Sequence, residues 1–257
     1  LFLLIVSRID YVLKKMSEVP DYQQDNLLTS TVAHFPSGTL FHAFSTPIYA
    51  TRVSNLDEIQ TELGRSYRKT TFTYKEEFGM THLLSDTSFG GNVIVEHGLK
   101  SFEDAIHFHL HNYMSGIKFP QEGIEVGRSS KTKIEDVNYT ISQSWWSKFG
   151  YRDYAHVHNH GNSDVSGVYY FKAPSSEEIA TYDTPWGNQP EGNIYFSSPA
   201  PSSVTSFVFA HYAFKQSMLA EVGKMILFPA YLDHGVTTNE TKEDRVSLAF
   251  NINFERS

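Results

Sequence analysis

The chain has 257 residues, enough to bury a sizeable core, and its 40% hydrophobic and 19% charged residues are those of ordinary globular material. A formal net charge of −8 without a basic block makes a nucleic-acid backbone a poor partner. The lack of cysteine excludes disulfides, thiolate metal sites and a cysteine nucleophile, so any metal must be held by histidine and carboxylate.

The opening LFLLIV is too short for a signal peptide or a membrane span, so a short buried or frayed segment is expected and no membrane partner. Residues 1–43 are read as an N-terminal extension, with Met16 as an alternative start. Further on, Ser54-Asn55-Leu56-Asp57 and Ser101-Phe102-Glu103-Asp104 each resemble an N-cap followed by an acid, predicting helices over about 55–66 and 102–117. Phe102, Ile106, Leu110, Tyr113 and Ile117 share one face of the second helix, a core-facing stripe. That helix also carries His107, His109 and His111, but on a helix His109 points away from the other two, so a structural role is expected for them. Residues 44–137 thus read as a helical support region.

From 138 to 257 the texture changes to short β-like runs broken by turn residues: YTISQSWW, GVYYFK, NIYFSS, VTSFVFA, KMILFP and RVSLAFNINF. They predict a sandwich or barrel, and the chain as a whole is expected to be mainly β with N-terminal helices. The polar block 173–193 reads as a long loop at one mouth of the sandwich, of a kind that often covers a site.

Within YRDYAHVHNHGNSDVSGVYY (151–170), His156, His158 and His160 recur at every second position, which puts them on one side of an extended backbone. A distant third imidazole is available in His234, which follows the apolar run of GKMILFPAYLDHGV (223–236). Eleven residues later Arg245-Val246-Ser247 heads a strand; Arg245 and Ser247 share a face, where a guanidinium and a hydroxyl can together receive a carboxylate.

The segments HNHGNSDVSGVYY (158–170), GKMILFPAYLDHGV (223–236) and RVSLAFN (245–251), with a weaker match at FSTPIYATRV (44–53), resemble the 2-oxoglutarate- and Fe(II)-dependent oxygenases. Within them the likeness is to a prolyl-hydroxylase-like branch of marine bacteria and phages. The resemblance implies a double-stranded β-helix, a jelly-roll-like, cupin-type sandwich forming the catalytic core over 138–257. It further implies Fe(II), 2-oxoglutarate as cosubstrate and O2, and hydroxylation of a small-molecule or peptide substrate, with a lean toward a peptidyl or free amino-acid side chain. A cytoplasmic protein of a bacterial or phage-infected cell is implied, and a homodimer is left open.

Carried over by position, His158 matches the first iron ligand and His234 the distal one, while His160 stands where most of the superfamily has a carboxylate. Asp164 is the alternative to His160 if Gly161-Asn162-Ser163 makes a bend. Arg245 and Ser247 would bind the far carboxylate of 2-oxoglutarate, and Tyr170 would add a hydrogen bond; Tyr169 beside it faces the opposite way, so only one of the two points inward. No catalytic residue beyond the metal site is expected. Trp145, Trp146 and Trp186 are candidates for the mouth.

Two rival readings differ in chemistry. A cupin-type metalloprotein with a three-histidine site, not using 2-oxoglutarate, would take His156 and His158 from the first motif, but leaves Arg245 and Ser247 unexplained. A non-catalytic β-sandwich binding protein needs no metal at all.

Overall fold

Period-two burial along β13 (Arg245–Phe254) sets the architecture: Val246, Leu248, Phe250 and Ile252 are buried on one face, while Arg245, Ser247 and Asn251 are buried on the other. A strand covered on both sides belongs inside a sheet packed on both sides. The computed structural model describes residues 33–35, 38–40, 46–74, 81–86, 91–116, 138–179, 191–199 and 215–255. The chain divides into two compact units, Leu1–Ala43 and Phe44–Ser257. In the first, β1 (Ala33–Phe35) and β2 (Gly38–Leu40) pair antiparallel.

The second unit carries two antiparallel sheets. One has seven strands: β3 (Tyr49–Arg52), β4 (Phe72–Tyr74), β5 (Leu83–Ser85), β6 (Tyr139–Phe149), β8 (Val165–Lys172), β11 (Lys224–Pro229) and β13, in the order β3-β11-β8-β13-β6-β5-β4. The other has four: β7 (Ala155–His158), β9 (Ile194–Phe196), β10 (Gln216–Met218) and β12 (His234–Val236), in the order β10-β9-β12-β7. From β6 onward the chain passes back and forth between the sheets. Val168, Tyr170, Ile194, Phe196, Ile226 and Phe228 form one apolar cluster with residues of both. The expected run VTSFVFA, Ile117 and Trp186 lie outside the described residues.

Helices cover the other face of the large sheet. The expected stripe is buried: Phe102, Ile106, Leu110 and Tyr113 of α3 (Lys100–Gly116) join Ile59 and Leu63 of α1 (Leu56–Lys69), and Val93 and Ile94 of α2 (Val93–Glu96). Trp146, Leu248 and Phe250 meet them from the sheet. The helix starts differ from the expected local caps. Asn55 makes no side-chain cap bond, and α3 begins at Lys100, so Ser101 lies within its first turn. Its free amides are satisfied from α1: Glu62 accepts from Ser101 N at 3.1 Å and from Phe102 N at 2.9 Å. A carboxylate on a neighbouring helix thus does the work of a cap and suits the positive end of the helix dipole. His107 and His109 bind separate tyrosines, Tyr139 Oη at 2.9 Å and Tyr49 Oη at 3.0 Å, in keeping with a structural role. Part of the 173–193 block forms one helical turn, α4 (Ser176–Ile179). Among the described residues no helix is long and apolar enough to cross a membrane.

Gly167 on β8 lets the helix-side core close. A Cβ there would lie 2.2 Å from Phe250 Cζ and 2.8 Å from Leu227 Cδ2, both in fully buried side chains. Overfilling a packed core costs about 1–3 kcal/mol, so Gly167→Ala is expected to lower stability by about that much. Urea unfolding midpoints of the two proteins check this; equal midpoints would show that Phe250 has room to move.

Candidate active site

The short strands β7 and β12 pair so that His158 stands directly opposite His234, with ring centroids 4.4 Å apart. Both rings are oriented in the same way. His158 Nδ1 bonds to the carbonyl of His156 at 2.8 Å, and His234 Nδ1 bonds to that of Leu232 at 2.9 Å. A carbonyl only accepts, so each Nδ1 carries the proton and each Nε2 is left with its lone pair, the form a metal ligand requires. His160 lies just past the end of β7, fixed by its own N–H to Ala230 O at 2.8 Å, and its ring stands 5.2 Å from each of the other two. Potential ligand atoms of His158, His160 and His234 all lie within 4.8 Å of one another. The sequence places His234 at the rim of the 225–229 strand; the structure turns the chain after Pro229 and sets His234 on a strand of the other sheet.

The other candidates for this cluster lie elsewhere. The 161–163 bend leads Asp164 to the end of β13, where its carboxylate accepts from Phe254 N at 2.7 Å, and Asp164 is not part of the cluster. His156 reaches the same cavity but stands edge-on to Tyr154 at 4.9 Å, outside the cluster.

Burial decides the protonation of two of these rings. Phe228 at 4.7 Å and Phe196 at 6.2 Å wall in His234, and desolvation, with His158 beside it, holds its pKa down to about 3. Desolvation and His158 likewise hold His160 down to about 4.

Arg245 lines the same cavity of about 370 Å³ and is only 2% exposed. Its guanidinium lies 4.5 Å from the Phe149 ring centroid and 4.9 Å from that of Tyr170. Among the described residues, Arg245 Nε, Arg245 Nη1 and the fully buried Tyr170 Oη have no hydrogen-bond partner. Buried donors left unmatched are costly, and a guanidinium with a phenol beside it fits a carboxylate. Ser247, two residues on, faces the same cavity. Of the two tyrosines, Tyr170 is the inward one; Tyr169 packs among the helices and accepts from Gln60 Nε2 at 3.2 Å.

Sequence reasoning missed His82. It lines the cavity, bonds through Nδ1 to Tyr154 O at 3.2 Å, and stacks on Phe149 at 4.1 Å between centroids. Burial first, then the Tyr154 carbonyl in opposition and Arg245 nearby, leave its pKa at about 4. A single histidine in THLLS carries no spacing that could have marked it. Trp145 also faces the cavity, 5.5 Å from His160, while Trp146 on the opposite face of β6 is fully buried beneath the helices. No Asp or Glu lines this cavity among the described residues.

Residues 143–251 match the family described as "Putative 2OG-Fe(II) oxygenase". No curated protein matches the sequence. Among solved structures the chain is similar to the non-heme α-ketoglutarate-dependent epimerase SnoN from nogalamycin biosynthesis, with TM-score 0.50 and 10% identity over 80% of this chain and 76% of that one. It is similar to HygX from Streptomyces hygroscopicus with nickel and 2-oxoglutarate bound, with TM-score 0.50 and 11% identity over 81% and 83% of the two chains. A prolyl-4-hydroxylase of Pseudomonas putida aligns at TM-score 0.44 and 10% identity over 83% and 90%. At such identities the first two likenesses concern the fold, which is a double-stranded β-helix.

The depressed histidines give stability a definite pH dependence. His82, His160 and His234 have folded pKa values below the ordinary 6.5, so in the window from 6.5 down to about 4 the unfolded chain binds more protons. Stability is therefore full above that window and lost as pH falls through it. The thermal midpoint of the metal-free protein is expected to drop between pH 6.5 and about 4, and to drop less steeply in His82→Gln. A midpoint that stays flat across this range would contradict the buried, neutral state of these rings.

Proposed function

We propose that the chain, whose residues 143–251 match a 2-oxoglutarate- and Fe(II)-dependent oxygenase family, hydroxylates a C–H bond of a peptidyl or free amino-acid side chain, with His158, His160 and His234 as its metal ligands. One observation carries the assignment of residues: the three-imidazole cluster and a buried, unpartnered guanidinium line the same cavity. Bound Fe(II), with 2-oxoglutarate and O2, supplies the oxidative decarboxylation of the cosubstrate to succinate and CO2 that is coupled to C–H hydroxylation.

The residues divide the remaining work. His158 and His234 present Nε2 to the metal because the carbonyls of His156 and Leu232 hold Nδ1 protonated, and burial keeps His160 and His234 neutral without competition from protons near pH 7. Arg245 receives the 5-carboxylate of 2-oxoglutarate, with Tyr170 Oη and Ser247 as further hydrogen-bond partners. Phe149 and Tyr170 hold the guanidinium in place through their ring faces. Phe228, Val168, Ile194 and Val236 make the walls between cluster and anchor apolar, which keeps water from competing for the anion. A cupin-type site without 2-oxoglutarate gives no task to Arg245, and His156, which it would use, stands outside the cluster.

Anaerobic titration tests the reading. Fe(II) is expected to bind at about one per chain, and 2-oxoglutarate then to raise a visible absorption band, as a metal chelated by a keto acid should. Arg245→Ala is expected to weaken 2-oxoglutarate binding by up to about 3–5 kcal/mol, the range for breaking a buried charge pair, with metal content unchanged. His234→Ala is expected to lose the metal. Undiminished cosubstrate affinity in Arg245→Ala would remove that residue from the site.

A further inference from the structure

Beyond the cosubstrate anchor, three polar side chains at the other end of the cavity form a hydrogen-bonded relay. Ser166 Oγ donates to Asn251 Oδ1 at 2.8 Å, and Asn251 Nδ2 donates to Gln143 Oε1 at 3.3 Å. Ser166 and Asn251 are each 2% exposed, so the relay starts inside the sheet, and it ends on the half-buried Gln143. Each amide oxygen accepts one hydrogen bond within the relay. Gln143 Nε2 is left with its two N–H groups and no partner among the described residues, in a side chain that lines the cavity.

The register shows where this end lies. Arg245 pairs with Phe149 across β13 and β6, whereas Asn251 pairs with Gln143 six residues further along. At about 3.3 Å per residue the two ends are roughly 20 Å apart along the strand. Between them Trp145, two residues from Gln143 on the same face of β6, packs beside His160. The histidine cluster therefore has the anion anchor on one side and the Gln143 amide on the other.

Charge points the same way. The cavity is lined by Arg245 and five histidines and, among the described residues, by no acid, so hydrogen-bond acceptors and anions are favoured throughout. We propose that Gln143, held by Asn251 and Ser166, is the substrate-binding donor of this site and takes a carboxylate or carbonyl oxygen of the primary substrate, while Trp145 packs against its apolar part. The proposal rests on the oxygenase reading above and assigns to it a substrate class, acceptor-bearing molecules, and to Gln143 a positioning task that neither metal nor cosubstrate requires.

The test uses the anaerobic Fe(II)–2-oxoglutarate protein, titrated with N-acetylglycine as a carboxylate, N-acetylglycine methylamide as a neutral carbonyl compound, and ethylamine as a donor without a carbonyl. Shifts of the visible band and calorimetry are the readouts. N-acetylglycine is expected to bind most tightly, the methylamide next, and ethylamine not at all. Gln143→Met is expected to weaken N-acetylglycine by about tenfold or more, as loss of a hydrogen bond to a charged group does, and Gln143→Glu to abolish its binding. Ser166→Ala, which frees the relay without removing its terminal donor, is expected to fall between wild type and Gln143→Met. Wild-type affinity in Gln143→Met, preference for ethylamine, or no response to any of the three probes overturns the proposal. Failure of the wild-type band to form with Fe(II) and 2-oxoglutarate is a separate result, and it overturns the oxygenase assignment of the residues instead.

Discussion

A guanidinium buried to 2% exposure, in a cavity that no Asp or Glu lines among the described residues, is the constraint around which the site is built. Desolvating a charge costs several kcal/mol unless the surroundings replace water. Here the replacement is partial: two ring faces contribute, from Phe149 and Tyr170, and the hydrogen-bonding directions of Nε and Nη1 stay unmatched. Hydrogen bonds around it hold the scaffold together. Asn239, wholly buried, donates from Nδ2 to both Phe149 O and Glu243 O, and its Oδ1 accepts from Thr241. The loop before β13 is thereby tied to the end of β6, which fixes Arg245 and the ring it lies against together. The tripeptide Asn239-Glu240-Thr241, which matches a glycosylation acceptor in sequence, buries both Asn239 and Thr241 in this fold.

The histidine cluster depends on the opposite sheet. Two imidazoles come from facing positions of β7 and β12, and the third from the turn that follows β7. Neither strand has more than four residues, so little propensity stabilises them, and the pairing is secured by neighbours: β12 is bonded on its other side to β9. Gly235 at the centre of β12 leaves space for the Tyr195 hydroxyl, which a Cβ would meet at 2.6 Å. The histidine cluster thus lies with the small sheet and Arg245 on the large one. Their distance apart is set by the packing of Ile226, Phe228, Val168 and Ile194 between the sheets.

This division explains which parts were legible in the sequence. The stripe on α3 and the alternation along β13 follow from periodicity, and burial matches both. That His158, His160 and His234 would meet, with Arg245 and Ser247 on the same cavity, was legible because the order of their motifs, and not any one of them, is distinctive. What could not be read depended on tertiary partners. β3, β4 and β5 are strands of three or four residues that extend the large sheet, too short for alternation to show. The cap of α3 is Glu62 on another helix, and no local pattern encodes that. His82 enters the cavity from β-flanking residues remote in sequence from every motif. Asp164, four residues past His160, had the reach of a ligand, but the ladder between the 164 position and β13 claims both its backbone and its carboxylate.

With Asp164 so placed, the cluster has three neutral ligands where two histidines and a carboxylate would leave a divalent ion with a net charge of about +1. A divalent ion held there would keep a charge of about +2, in a cavity that Arg245 also lines. A dianion bridging the two would cancel the charge of the guanidinium and half that of the ion, which gives the unpartnered guanidinium and the carboxylate-free cluster one common explanation. It also makes the two mutually dependent: metal and anion each raise the affinity for the other, since each alone leaves charge of one sign in a medium of low dielectric. What remains at the far end is a neutral amide with its N–H groups outward. Once a dianion has met most of that charge, discrimination among substrates would fall to that weaker, directional contact.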